Sequence, residues 1–317
     1  MEEPLVSVVI ATHNRKEDLR QAVESVLNQD YSKIEIIVVS SSNDGTEDLF
    51  REGGCFKDLV RFLPTSERYG VSGSRNMGYE EAEGKYIINL DDDAVLQSSK
   101  TVSRVVEEFE NDEELGIIAF RSEDYETGRL LYFDFPDLAN QKNPVERFSA
   151  SFFTGVGNAF RKDLLEEVGN LPEDFYYGFE EFDFSFRVLD RGYGIRYIPE
   201  LVVRHKVSQE GRINESEVKA QKFKNRVKVA IRNLPKRYVA CTFAFWLPVF
   251  LIQSRDFRGV LNSLTDVLRD FREEERRVIS KDTIREIKSN SGPLWFWIFG
   301  LPSDGVLSFI IGNSGRS

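Results

Sequence analysis

Three consecutive carboxylates, Asp91, Asp92 and Asp93, close the run Lys85 to Leu90, which reads as a buried strand. Such a cluster repels itself unless a cation joins it. All-oxygen ligands at this density suit hard divalent ions such as magnesium or manganese, which are often shared with a substrate phosphate. The plainer alternative is a strand cap followed by a solvated acidic turn. A second acidic group, Glu180, Glu181 and Asp183, opens a predicted helix just after Gly178. Paired carboxylates can serve as a general base, although acids in a first turn also simply favour the positive end of the helix dipole. For Asp183 the second account is preferred, because Arg187 lies four residues on and can pair with it.

The elements that must position these acids alternate. Val6 to Ala11 is a short β-branched run of the kind buried on both faces of a parallel sheet. From Lys16 to Gln29, Leu19, Ala22, Val23, Val26 and Leu27 recur at helical spacing. Ile34 to Val39 is a second strand, Leu59 to Leu63 a third, Ser72 to Glu83 a helix and Lys85 to Leu90 a fourth strand; Gly194 to Arg204 reads as a further strand ending at His205. This βαβ rhythm predicts a doubly wound α/β domain, whose ligands gather at the carboxyl ends of the strands. Thr12 to Arg15, Ser40 to Thr46 and the acidic triplet all fall at such ends. The rhythm stops near Arg212, and helical patterns follow, which divides the chain into 1–212 and 213–317.

The 317 residues, 41% hydrophobic and 30% charged, suffice for one large or two modest folded domains. The net charge of −11 argues against nucleic acid as a partner. Cys55 and Cys241 have no metal or redox spacing, which suggests a reducing compartment with both thiols buried. The acidic start, Met1 to Pro4, does not read as a signal peptide.

The ordered set VSVVIATHNR, IEIIVVSSSNDGT, GVSGSRNMGYEEAEGKYIINLDDDA, FFTGVGNAFRKDLLEEVG and GFEEFDFSFRVLDRGYGI, over about residues 5 to 207, resembles the family 2 glycosyltransferases of GT-A type. The resemblance implies a GT-A type mixed sheet with a Rossmann-like nucleotide-binding half. It also implies inverting transfer of a sugar from a nucleotide-sugar donor (UDP-, GDP- or dTDP-linked) with a divalent metal, manganese or magnesium, on the diphosphate. Asp91 and Asp93 then match the metal-binding pair, with His205 completing the site. Asp92 faces the ribose or tunes the pair. Arg75 matches an arginine near the nucleotide, in a helix where Gly73 and Gly78 permit close backbone approach. Thr12 and Asn14 match nucleobase contacts, though either could instead cap the helix from Lys16. Asp44 is the one acid left in a loop where the family usually has more, Ser40 and Ser41 standing in the earlier places. An Asx turn would equally explain it. Glu181 matches the general base beside Glu180, and Gly155 to Asn158 the acceptor-side loop, its glycines leaving room for a sugar. His13 is given no role.

Two other classes compete. Sugar-phosphate nucleotidyltransferases also use acidic metal sites on α/β sheets, but they place a glycine-rich loop after the first strand, and Thr12 to Asp44 contains no glycine. A non-catalytic sugar-binding or assembly module is the other. The C-terminal region adds a further expectation. Between Val218 and Arg255 stand nine Lys or Arg and no acid, and Tyr238 to Ile252 is an apolar run of 15 residues, short of the roughly 20 that span a bilayer. Trp246, Trp295 and Trp297 are the only tryptophans. Basic residues are drawn to anionic lipid and Trp to the headgroup level. The region is therefore read as lying on the cytoplasmic membrane face, serving a glycan or lipid-linked acceptor; a helical subdomain packed on the catalytic core, or a dimer interface, is the alternative.

Overall fold

The computed structural model describes residues 3–137, 142–211, 213–254, 264–267, 269 and 276–291. Its strands are β1 (Val6–Thr12), β2 (Ile34–Ser40), β3 (Arg61–Pro64), β4 (Tyr86–Leu90), β5 (Ala94–Leu96), β6 (Leu115–Asp124), β7 (Phe148–Ser149), β8 (Gly157–Arg161) and β9 (Gly194–His205). The helices are α1 (Lys16–Leu27), α2 (Gly70–Glu81), α3 (Thr101–Asn111), α4 (Leu164–Val168), α5 (Glu180–Asp190), α6 (Glu215–Asn233), α7 (Lys236–Ser254) and α8 (Lys281–Ser291). One sheet runs β3-β2-β1-β4-β8-β6-β9-β5, with β7 added on β9. The strands β1 to β4 are parallel, and β8 then runs antiparallel to both of its neighbours. This is the expected mixed, doubly wound α/β architecture.

Side chains alternate across the sheet with the period of two that a strand imposes. Val8, Ile10, Ile36, Val38 and Ile88 pack with Leu19, Val23, Val102 and Phe109 of α1 and α3. Val9, Ile37 and Ile87 pack on the other side, where Tyr79, Phe184, Val227 and Trp246 continue the core through α2, α5, α6 and α7. The fully buried run of β1 thus has apolar partners on both faces, which is why the sequence needs no polar alternation there. Gly78 allows the close approach foreseen for α2: a Cβ there would lie 2.4 Å from Val9 Cγ1.

Two expectations change, and the C-terminal region gains detail. Cys55 is exposed and Cys241 half-buried, so neither is a core thiol. The strands β5 to β8 were not foreseen; β5 and β7 have three and two residues, too short to show a period. The C-terminal helices have no core of their own among the described residues. Phe223, Val227, Ile231, Tyr238 and Trp246 join the same cluster as Phe184 and Val188 of α5, and Lys228 and Arg232 pair with Asp174. Trp295 and Trp297 lie outside the described residues. Among those described, no helix is long and apolar enough to cross a membrane.

Candidate active site

The chain leaves β4 at Leu90, passes through the acidic triplet and re-enters the sheet as β5 on the far side of β9. The β5–β9 register sets Ala94 opposite His205, and the Lys206 N–H donates to the Asp93 carbonyl at 2.9 Å. Residues distant in sequence therefore meet because a three-residue strand pairs with the end of a twelve-residue one. Asp91, Asp93 and His205 each offer a ligand atom within 4.8 Å of the others, the one such grouping of three among the described residues. His205 Nδ1 lies 2.8 Å from Asp134 Oδ2. An Nδ1–H donated to this carboxylate leaves Nε2 as the ligand atom, the usual arrangement around a metal-bound histidine. Two carboxylates and an imidazole suit manganese well.

Burial works to lower the His205 pKa, but Asp134 and Asp93 overcome it and hold the imidazole up at about 10. For Asp93, burial is outweighed by His205, Arg15 and the Ser208 N–H, and its carboxyl is held below the usual range. His205 and Asp93 thus hold each other in the charged form, and a cation entering the site would displace the imidazolium proton.

Asp92 turns away from this cluster. It accepts from the Thr12 hydroxyl at 2.7 Å and from Arg15 at 2.7 Å, with only 4% of the residue exposed. Burial raises its carboxyl to about 6, Arg15 opposing and Asp93 adding. Arg15 also reaches Asp93 at 3.3 Å and donates to the carbonyls of Ser208 and Glu210. It therefore ties β1, the triplet and the segment after β9 together. No role was foreseen for it; the available signal was a cation at the end of a polar loop that must share the sheet's carboxyl edge with three acids.

Arg75, expected beside a nucleotide, is buried and linked to three acids: Asp91 at 2.8 Å, Glu180 at 3.3 Å and Glu181 at 3.7 Å. It also donates to the Gly155 carbonyl, which accepts from Asn89 as well. A Cβ on Gly155 would fall 2.5 Å from Arg75 Nη2 and 2.6 Å from Glu181 Oε1. The glycine leaves room for the protein's own Arg75 and Glu181 side chains. One guanidinium thereby joins the carboxylate that reaches the metal cluster to the acidic pair on α5.

That pair starts α5 after Gly178 and Phe179, both in the left-handed region at φ 78° and 75°. A left-handed phenylalanine is uncommon, and such backbone concentrates at functional sites. Burial, with Glu181 alongside, pushes the Glu180 carboxyl up to about 8; burial also raises Glu181. The Glu180 side chain is 2% exposed and Glu181 16%. Both carboxyls are thus pushed toward the protonated form, and they titrate as a pair. Asp183, as foreseen, accepts from Arg187 at 2.9 Å, and its other oxygen accepts from Asn233.

The two loop residues assigned to base contact are engaged elsewhere. Asn14 Oδ1 accepts from the Asn43 N–H at 2.8 Å, and neither Thr12 nor Asn14 caps α1. The first-turn N–H of Lys16 is met instead by Asp44, which also closes an Asx turn onto the Thr46 N–H.

Comparison with known proteins bears on the family and the fold. The chain is 25% identical over 255 residues to glycosyltransferase AglE of Haloferax volcanii, covering 78% of this chain and 81% of that one. It is 24% identical over 201 residues to the poly-beta-1,6-N-acetyl-D-glucosamine synthase of Staphylococcus aureus, covering 61% of this chain and 48% of that protein's length. Among solved structures, mannosyltransferase PcManGT from Pyrobaculum calidifontis, in complex with GDP-Man and Mn2+, shares the fold with a TM-score of 0.56 at 19% identity, covering 94% of this chain and 86% of its own. TarS of S. aureus does so with a TM-score of 0.59 at 14% identity, over 84% and 80%. The model of glycosyl transferase family 2 matches residues 7–169, and the chain belongs to that family.

Proposed function

We propose that this glycosyltransferase moves a sugar, with inversion, from a nucleoside-diphosphate sugar to a hydroxyl of a glycan or lipid-linked acceptor at the cytoplasmic membrane face. The observation that carries the reading is the single Arg75 guanidinium spanning Asp91 on one side and Glu180 and Glu181 on the other. It keeps a candidate cation ligand and a candidate basic carboxylate within reach of one side chain, which supports a single displacement between them. Asp91, Asp93 and His205 would hold a divalent ion, which supplies charge neutralisation for a departing diphosphate. Glu181, the more exposed of the pair, takes the proton from the acceptor hydroxyl as that oxygen bonds to the anomeric carbon. Glu180 stays protonated and fixes its neighbour. Donors carrying UDP, GDP or dTDP all fit this chemistry. Attachment to a membrane rests on the apolar end of α7, where Leu251 and Ile252 are exposed.

Calorimetric titration of GDP and UDP, with and without manganese, tests the site. Wild type is expected to bind one of them in a metal-dependent way and Asp91→Asn to lose that dependence. Glu181→Gln is expected to retain this binding while turnover falls by roughly two to four orders of magnitude, with Glu180→Gln less affected. Metal-independent binding in wild type, or a larger loss at Glu180, would defeat the assignment.

A further inference from the structure

Arg226, on α6, is a buried cation with no acid paired to it among the described residues. The residue is 8% exposed, and no hydrogen bond or carboxylate partner is found for it among the described residues. Its Nε is sealed from solvent with no acceptor. Two aromatic rings pack on the guanidinium, with the Trp246 ring 3.4 Å and the Phe179 ring 4.5 Å from Cζ. Burial of this kind is unfavourable for the free protein: it pushes the guanidinium down to about 9 without any opposing charge. Buried charges are normally paired, and neighbouring cations of the same helix are, Lys228 and Arg232 with Asp174.

Its place in the fold says what could pair with it. Phe179 directly precedes Glu180 and Glu181, and it stacks on Phe182, which stacks on Phe152. The cation thus borders the start of α5, where the proposed base sits. Trp246 belongs to α7, which runs on through the buried Val249 and Phe250 to the exposed Leu251 and Ile252. A buried unpaired cation on a layer that ends in exposed apolar residues matches an amphiphile with an anionic head. We propose that Arg226 binds the phosphoryl group of an apolar acceptor and so brings the acceptor hydroxyl to the base. This rests on the transferase reading above and names its acceptor class. A guanidinium suits phosphate oxygens, and packing against two aromatic rings limits its motion before the acceptor arrives.

The test uses the full chain without metal, so that phosphate cannot bind through an ion. Melting temperatures are measured with farnesyl phosphate, farnesol and inorganic phosphate for wild type, Arg226→Met and Arg226→Lys. Farnesyl phosphate is expected to stabilise wild type most, with the effect lost in Arg226→Met and partly kept in Arg226→Lys. Its apparent affinity should fall roughly ten- to hundredfold in Arg226→Met, the scale of a hydrogen bond to a charged group. Ligand-free Arg226→Met should melt no lower than wild type, because an unpaired buried charge has been removed. If Arg226→Met instead melts lower and still responds to farnesyl phosphate, Arg226 is a packing residue and the proposal fails. Equal stabilisation by inorganic phosphate overturns the apolar carrier, and equal stabilisation by farnesol overturns the anion. Should Arg226→Met not fold, a response of Arg226→Lys identical to wild type in affinity and specificity would equally overturn it. Metal-dependent GDP or UDP binding by wild type separates the two levels: its absence undermines the transferase site, whereas its presence without any Arg226-dependent phosphate effect undermines only this inference.

Discussion

Asp92 and Glu180 are both buried acids, yet they solve the problem of burial differently. Asp92 keeps its charge close to Arg15 and the Thr12 hydroxyl, whereas Glu180, beside the second acid Glu181 and with Arg75 at 3.3 Å, keeps a proton. Removing the partner of a buried carboxylate typically destabilises by about 3 to 5 kcal/mol. Arg15→Met is expected to lose about 3 kcal/mol, the lower end, since Asp92 can take up a proton when its partner goes. That escape works only at low pH. Denaturant unfolding should therefore show a larger loss at pH 8 than at pH 5.5, and a loss independent of pH would mean that Asp92 is not left charged. For Glu180 the sign runs the same way in the wild type. Its carboxyl stands at about 8 in the folded chain against an ordinary 4.5, so the folded state binds more protons between those values. The stability associated with the protonated form is present below pH 4.5 and lost as pH rises through about 8. Glu180→Gln cannot ionise, so its melting temperature relative to wild type should climb from pH 5 to pH 9. A flat difference across that range would remove Glu180 as the proton holder.

At the level of elements, the short 3₁₀ turn Tyr132–Asp134 carries the residue that orients the proposed metal ligand. Asp134 Oδ2 receives both His205 Nδ1 and the Ser122 hydroxyl, each at 2.8 Å. Outer-sphere carboxylates of this type are worth about 10- to 100-fold in metal affinity. Asp134→Asn is expected to weaken manganese binding by that factor with little change in melting temperature, measured by calorimetry and thermal unfolding. Unchanged manganese affinity would make the contact merely structural. No reading of the sequence singled out Asp134, since Tyr-Phe-Asp has no motif and lies 71 residues from the histidine it serves. The long elements were legible from their patterns: the apolar stripe of α1 and the β-branched, mostly apolar runs of β1, β2 and β4 each state their own environment. The acidic clusters were legible because like charges so close together need a reason. What the sequence could not display was pairing. The register of β5 on β9 brings His205 to Asp93, the loop carbonyl of Gly155 locks Arg75, and Arg15 crosses from one strand end to another. Each of these is a long-range contact whose local sequence is ordinary.

For the whole molecule, the question is what the C-terminal helices are for. Phe223, Val227, Ile231, Leu234, Tyr238 and Trp246 are almost wholly buried in a core they share with α5. At about 1.5 to 3 kcal/mol per large apolar side chain, their removal costs as much as the roughly 5 to 15 kcal/mol by which domains are usually stable. A chain ending at residue 212 is therefore expected to aggregate, not to remain a soluble donor hydrolase, and sedimentation of the purified fragment checks this. The same packing alters the membrane argument. Of the nine basic residues, Lys228 and Arg232 pair with Asp174, Lys219 pairs with Glu215, Lys224 lies near Asp266, and Arg226 is enclosed by rings. Exposed basic residues near an anionic bilayer contribute about 1 kcal/mol each, but those already paired or enclosed add little. Attachment to lipid should then depend on the exposed apolar end of α7, at Leu251 and Ile252 (47% and 63% exposed). The full chain is expected to co-sediment with anionic vesicles, and raising the salt should weaken this far less than nine free charges would imply. Leu251→Glu with Ile252→Glu should abolish sedimentation while leaving the melting temperature unchanged, because both side chains face solvent. Binding that survives the double substitution but vanishes with salt would return the role to the basic residues, and a chain that ignores vesicles of every composition would leave α6 and α7 as the structural layer that completes the catalytic core.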